Sequence, residues 1–347
     1  MNKWLALPDD TKRNAYIQIA EKTGMSPFAV EKDWWVVQAL TAIFEMEVAK
    51  HLVFKGGTSL SKAWNLIQRF SEDIDLAIDR EYLGFKGDLS KSQLTRLRKA
   101  ASLYTSGPFF EALKAKFQEK GISVLEFKVV EANNSDQDPR IIEVFYPNVI
   151  DAPGYMQPKI QIEIGCRSLK EPYTNQSISS LVYEEYADRD FTEPPITVPT
   201  VNPERTFLEK IFLLHEEFQK ATDVIRVNRL SRHLYDIVKL SKSPFAEMAL
   251  IDKELYNTIV NHRHKFTRVG GVNYNLHHPS TINIIPNSEI LKKWEDDYKT
   301  MVDYMIYELE PPSFDEIITE LTILKNRINA LPWELDMDFP ISNSKGT

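Results

Sequence analysis

VFKGGTSLSKAWNLIQRFSEDIDL, residues 53–76, is the stretch that decides the fold of this 347-residue chain. An apolar strand-like run, 51–55, ends in Gly56-Gly57, and paired glycines let a backbone approach a ligand closely. Thr58 and Ser59 follow as candidate N-caps of a helix over 60–68, whose open N–H groups and positive dipole end suit a triphosphate. Asp73-Ile74-Asp75-Leu76-Ala77-Ile78 then alternates. As a strand it turns Ile74, Leu76 and Ile78 to one face and Asp73 and Asp75 to the other. Two carboxylates on one small surface repel unless one keeps its proton or a divalent cation joins them. Mg²⁺ favours such hard oxygens together with substrate phosphates.

Working outward, 9–22 and 27–44 read as helices, the second opened by Ser26-Pro27 and carrying EKDWWVVQAL. A charged helical stretch over 88–120 leads to strand-like runs at 122–130 and 140–149, with the turn-rich NNSDQDP between them. The proline-bearing segment 171–203 has the texture of a linker, and the composition shift near residue 200 sets a domain boundary. Pro203 starts a helix with the stripe Phe207, Ile211, Leu214 and Phe218, and Lys210 lies on its edge. Such a lysine either snorkels or brings its ammonium to an anion. In the next helix Leu230, Leu234 and Ile237 form the packing stripe, and Asp236 on its flank stands four residues from Arg232, a spacing suited to a solvated ion pair. Helical periodicity returns at 291–305 and 314–331, and the tail from Trp333 reads as frayed.

Gly-Gly, helix and Asp-x-Asp in this order resemble the DNA polymerase β nucleotidyltransferase superfamily, and KGGTSLSKAW with RFSEDIDL is similar to the AbiEii/AbiGii (MenT-like) toxin family. The resemblance covers most of residues 30–305. It implies an α+β fold: a nucleotidyltransferase core, with a mixed sheet flanked by helices, preceded by N-terminal helices and followed by a C-terminal helical domain. The expected divisions are 1–50, 51–200 and 201–347. It also implies a third carboxylate on a neighbouring strand, for which Glu163 in KIQIEI is the candidate and Glu143 in IIEVF the rival. FLEKIF matches the family segment whose lysine contacts nucleotide phosphates, which implicates Lys210. Residues 229–237 resemble the R-x-x-Y-D motif, which implicates Asp236 in catalysis or in orienting the acceptor.

What the resemblance implies for chemistry is an NTP-using, Mg²⁺-dependent transferase. Asp73, Asp75 and Glu163 would hold the metal, and Gly56, Gly57, Thr58, Ser59 and Lys210 the phosphates. Lys55, Lys62 and Arg69 are possible helpers, the last two on a short helix. Characterised relatives are toxins of toxin–antitoxin or abortive-infection (phage defence) pairs, some acting on the tRNA acceptor end. NMP transfer to tRNA with release of pyrophosphate, and an antitoxin encoded nearby, are therefore expected. Two other readings stay open: nucleotidylation of a small molecule or protein, and an NTP-binding regulator without turnover.

A net charge of −8 argues against a protein that coats nucleic acid, so any RNA contact should be local, with 226–232 and 262–268 as the basic candidates. No apolar run is long enough to span a bilayer and residues 1–13 lack a signal-peptide core, from which a cytoplasmic location is expected. Cys166, the single cysteine, reads as structural. His277-His278-Pro279 reads as a loop, because adjacent side chains rarely aim at one ion.

Overall fold

Polar and apolar residues alternate at 73–78 and again at 159–164, and both segments fold as neighbouring strands of one seven-stranded sheet. The structure, a computed structural model, describes residues 2–135, 137–154, 157–166 and 172–340. The chain forms two compact units: Met1–Val201 with Tyr307–Leu309, and Asn202–Ile306 with Glu310–Thr347.

The first unit contains, in chain order, α1 (Asp9–Thr23), α2 (Pro27–Phe44), β1 (Leu52–Lys55), α3 (Gly56–Lys62), β2 (Asp73–Ile78), α4 (Lys91–Tyr104), α5 (Phe110–Glu119), β3 (Glu126–Val129), β4 (Arg140–Phe145), β5 (Lys159–Gly165), β6 (Tyr173–Ile178), α6 (Leu181–Tyr186) and β7 (Ile196–Val201). The strand order is β3-β4-β5-β2-β1-β7-β6. β2 runs antiparallel to β1 and parallel to β5, so the sheet is mixed and the protein is α+β. Phe54, Ile74, Leu76, Ile160 and Ile162 fill the core from the inner face. α2 is buried almost all round, as expected for a helix without a polar face. Ser26 caps it by accepting the Ala29 N–H at 3.2 Å, and Pro27 begins its first turn.

Three readings of the sequence are corrected here. The helix expected over 60–68 starts at Gly56 and stops at Lys62, because Gly56 takes φ +81° and turns the strand straight into the helix. Thr58 and Ser59 therefore lie inside that helix and do not cap it. The segment read as a linker supplies β6, α6 and β7. Its alternation in ITVPTV buries Val198 and Thr200, and a strand tolerates Pro199 where no ladder N–H is required. The strands expected at 122–130 and 140–149 are shorter, Glu126–Val129 and Arg140–Phe145.

The second unit is helical: α7 (Pro203–Glu217), α8 (Ser231–Ser241), α9 (Pro244–Ile251), α10 (Lys253–His262), α11 (Leu291–Tyr304) and α12 (Phe314–Asn329). Phe207, Ile211 and Leu214 of α7 are fully buried, and Phe218 meets the Trp294 ring edge-on at 5.1 Å. The tail read as frayed is docked as far as it is described. Trp333 packs on Tyr256, Asp336 pairs with Lys253 at 2.6 Å, and the Phe339 N–H donates to Asn275. Among the described residues no helix is long and apolar enough to cross a membrane.

Candidate active site

Register places the acids. Asp75 of β2 stands opposite Lys55 of β1 on one side and Glu163 of β5 on the other, while Asp73 stands opposite Gln161. Side chains in register on adjacent strands share a face about 4.8 Å apart. Asp73, Asp75 and Glu163 thus belong to one half-buried face. Glu143 pairs with Gln161 from β4, one strand further from Asp75, and is bound to Lys159 at 2.5 Å. Glu163 is the acid that the topology sets beside Asp75.

The two glycines do different work. A Cβ built on Gly56 would lie 1.8 Å from Asp75 Oδ2 and 2.6 Å from its Cγ, so the backbone rests directly on that carboxylate. A Cβ on Gly57 would lie 2.7 Å from Arg69 Nη2 and 2.8 Å from Ser71 Oγ. The turn is therefore sandwiched between the acid strand and the segment that leads into it. The hydroxyls after it are turned inward: Thr58 Oγ1 donates to the Asp73 carbonyl, and Ser59 Oγ donates to the Gly56 carbonyl at 2.9 Å. Both residues are buried, so their side chains brace the turn.

Three consecutive charges on α2, to which the sequence reading assigned no chemistry, anchor this machinery. Glu31 accepts the Val149 and Ile150 N–H groups at 2.8 and 3.0 Å; burial pushes its carboxyl up and these two donors oppose the shift. Lys32 reaches Glu72, the residue before Asp73, at 2.6 Å. Asp33 holds Lys62 at 2.7 Å and accepts the Leu181 N–H at 2.8 Å. One helix thereby ties down both the end of α3 and the entry to β2. Lys62 and Arg69, read as possible helpers on a short helix, are ion-paired and buried respectively, and Arg69 lies beyond the helix. The signal for this clamp was a Glu-Lys-Asp run on an otherwise apolar helix.

In the helical unit, Lys210 of α7 and Asp236 of α8 form an ion pair, Nζ to Oδ2 at 2.9 Å, and Lys210 Nζ lies 3.4 Å from His233 Nδ1. Asp236 is fully buried, so the solvated pair expected from its spacing to Arg232 does not describe it. α7 and α8 pack together, which a reading of each helix alone cannot anticipate. Two arginines of the basic segments are likewise held by acids: Arg263 grips Glu216 through Nε at 2.7 Å and Nη2 at 2.5 Å, and Arg226 pairs with Glu217 at 2.8 Å. Burial alone would raise the Glu216 carboxyl, but Arg263 and His277 outweigh it and hold it at about 2. Burial, then the charge of His277, lowers His215 to about 3.

The residues in the first unit fit a divalent cation of the Mg²⁺ type. Among the described residues no three His, Cys, Asp or Glu side chains form a ready-made metal cage. Mg²⁺ needs less, because it takes one or two carboxylates and completes its shell with water and phosphate oxygens. Asp73, Asp75 and Glu163 offer only hard oxygens, and Gly56 leaves room at Asp75 that any side chain would fill.

The sequence matches the nucleotidyl transferase AbiEii toxin family of type IV toxin–antitoxin systems over residues 38–320. The chain belongs to the AbiEii family. It is thus a nucleotidyltransferase toxin of a type IV toxin–antitoxin system, with an antitoxin partner and an NTP substrate implied by that membership. No curated protein matches it. Among solved structures, this AbiEii protein is similar to MenT4, the nucleotidyltransferase toxin Rv2826c from Mycobacterium tuberculosis H37Rv, at 17% identity and a TM-score of 0.47 over 94% of each chain. It is also similar to JHP933 from Helicobacter pylori, at 15% identity and a TM-score of 0.41 over 88% of this chain and 93% of that one. The match spans α3, β2, β5, α7 and α8 of the AbiEii chain, the elements that carry its candidate residues.

Proposed function

We propose that the protein transfers NMP from an NTP to the acceptor end of tRNA and releases pyrophosphate. The observation that carries the transfer chemistry is the contact of Gly56 with Asp75, in register with Glu163. A backbone pressed onto a carboxylate brings a phosphate lying on the turn next to the acid face. In the reaction the acceptor hydroxyl oxygen bonds to the α-phosphorus, the bond from that phosphorus to the bridging oxygen breaks, and pyrophosphate leaves with its electrons. The hydroxyl proton passes to water. Asp73, Asp75 and Glu163 would hold Mg²⁺, which when bound would supply Lewis acidity to the phosphate oxygens and the acceptor hydroxyl. Backbone N–H groups over 56–59 bind phosphate, with Thr58 and Ser59 fixing the turn through their inward hydroxyls.

Lys210 neutralises phosphate charge and Asp236 holds its ammonium in place. The 2.9 Å pair and the resemblance of FLEKIF and R-x-x-Y-D to family motifs support this. For tRNA as acceptor the support is family membership. The test incubates the protein with Mg²⁺, each labelled NTP and total tRNA, beside Asp75→Ala, and scores label in RNA, protein and small molecules. Asp75-dependent label in RNA is expected. Label in protein or small molecules alone overturns the acceptor, and label in none overturns the transfer. Expression of the wild type slows growth on this reading, and a toxic Asp75→Ala variant sinks it.

A further inference from the structure

Beside the Gly-Gly turn the first unit encloses a cavity of about 300 Å³ whose wall includes Thr58, Ser61 and Lys62 of α3, Arg69 and Ser71. That size admits a small molecule, not a macromolecule. Its ionisable wall has two acids, Asp33 and Glu184, against the two bases Lys62 and Arg69, and Asp33 already holds Lys62 at 2.7 Å. Balanced charge makes a poor receptor for a triphosphate and a good one for a neutral ligand with hydrogen-bonding edges. Apolar surface comes from Met25, Val36, Phe70 and Leu181, and hydroxyls from Ser177, Ser179 and Tyr307. Burial, with help from the Asp33 charge, raises the Tyr307 phenol to about 12, so it stays a donor. Its backbone N–H is anchored on the Gln68 carbonyl at 3.0 Å.

The cavity wall and the acid face both adjoin one dipeptide. Gly56 touches Asp75, and Gly57 touches Arg69 and Ser71 of the cavity wall. A ligand with a polyanionic end at the acids and a neutral, flat, hydroxylated end matches both surfaces. We propose that this cavity receives the nucleoside end of the NTP, so that base choice is read there. This rests on the transferase reading.

The test uses the full chain and Ser177→Trp, which fills the cavity from an exposed position on the edge strand β6 and leaves the fold intact by circular dichroism. Binding of each common ribonucleoside is followed by saturation-transfer NMR, and binding of inorganic triphosphate with Mg²⁺ by calorimetry. At least one nucleoside binds the wild type, and Ser177→Trp weakens it about tenfold or more while triphosphate binding holds. No nucleoside binding to the wild type, or equal binding to the variant, overturns the assignment. Nucleoside binding lost in Ser177→Trp, with no Asp75-dependent transfer in any fraction, upholds the cavity and overturns the transferase. Transfer by Ser177→Trp with unchanged KM for every NTP does the reverse.

Discussion

Lys210→Met removes an ammonium that lies 2.9 Å from a fully buried carboxylate while keeping the apolar stem. At that distance, with an effective dielectric constant of about 20, the attraction is roughly 6 kcal/mol. Desolvation opposes it by several kcal/mol per ion, so the intact pair is close to neutral for stability. Deleting one partner is different, because the other charge stays buried: the single variants Lys210→Met and Asp236→Leu should each lose about 3–5 kcal/mol. The double variant should recover most of this, lying within about 1–2 kcal/mol of the wild type. Native-state hydrogen exchange reads the effect helix by helix, and a loss of that size speeds exchange of the most protected α7 and α8 amides by roughly 10² to several 10³-fold. Additive losses, or single losses below about 0.5 kcal/mol, refute the coupled buried pair. Transfer assayed on the double variant separates structure from chemistry: a stable but inactive double supports a role in the reaction, and a stable, active one removes Lys210 and Asp236 from the site.

Gly56→Ala should abolish transfer while far-UV circular dichroism stays native, since a methyl 1.8 Å from Asp75 Oδ2 displaces the carboxylate and φ +81° strains alanine by about 1–2 kcal/mol; full activity refutes the close approach. Lys32→Met should lower stability by about 3–5 kcal/mol in chemical denaturation by leaving Glu72 buried without its ammonium, and Lys32→Met/Glu72→Gln should regain part of it. Acid should destabilise the helical unit. His215 is depressed from 6.5 to about 3, so the stability of keeping it neutral is full above 6.5 and falls as pH drops toward 3, while Glu216, depressed from 4.5 to about 2, loses its contribution between those values. Exchange of α7 amides against pH checks the sign, and protection that rises on acidification contradicts it.

The family block was legible because its parts are local. Asp73 and Asp75 share a face by the two-residue period of a strand, and Gly56-Gly57 follows an apolar run in every reading of 53–76. Glu163 was legible as a strand acid, but its choice over Glu143 needed the β2–β5 pairing, which joins segments about ninety residues apart in sequence. The same limit hid β7: proline texture is a local signal, and what makes 196–201 a strand is its pairing with β6 along its whole length and with β1 at Thr200. Charges on α2 gave a local signal without an address, since Glu72 and Lys62 come from later segments.

By itself the sequence determined which elements form around residues 53–76, the alternating acids and the family, all set by neighbours along the chain. Only the tertiary structure decided that Gly56 rests on Asp75, that Asp236 and Lys210 pair in a buried site, and that a charge-balanced cavity adjoins Gly57. Burial and partner choice depend on which segments pack together, and a side chain's charge has one meaning in water and another beside a counter-ion with water removed.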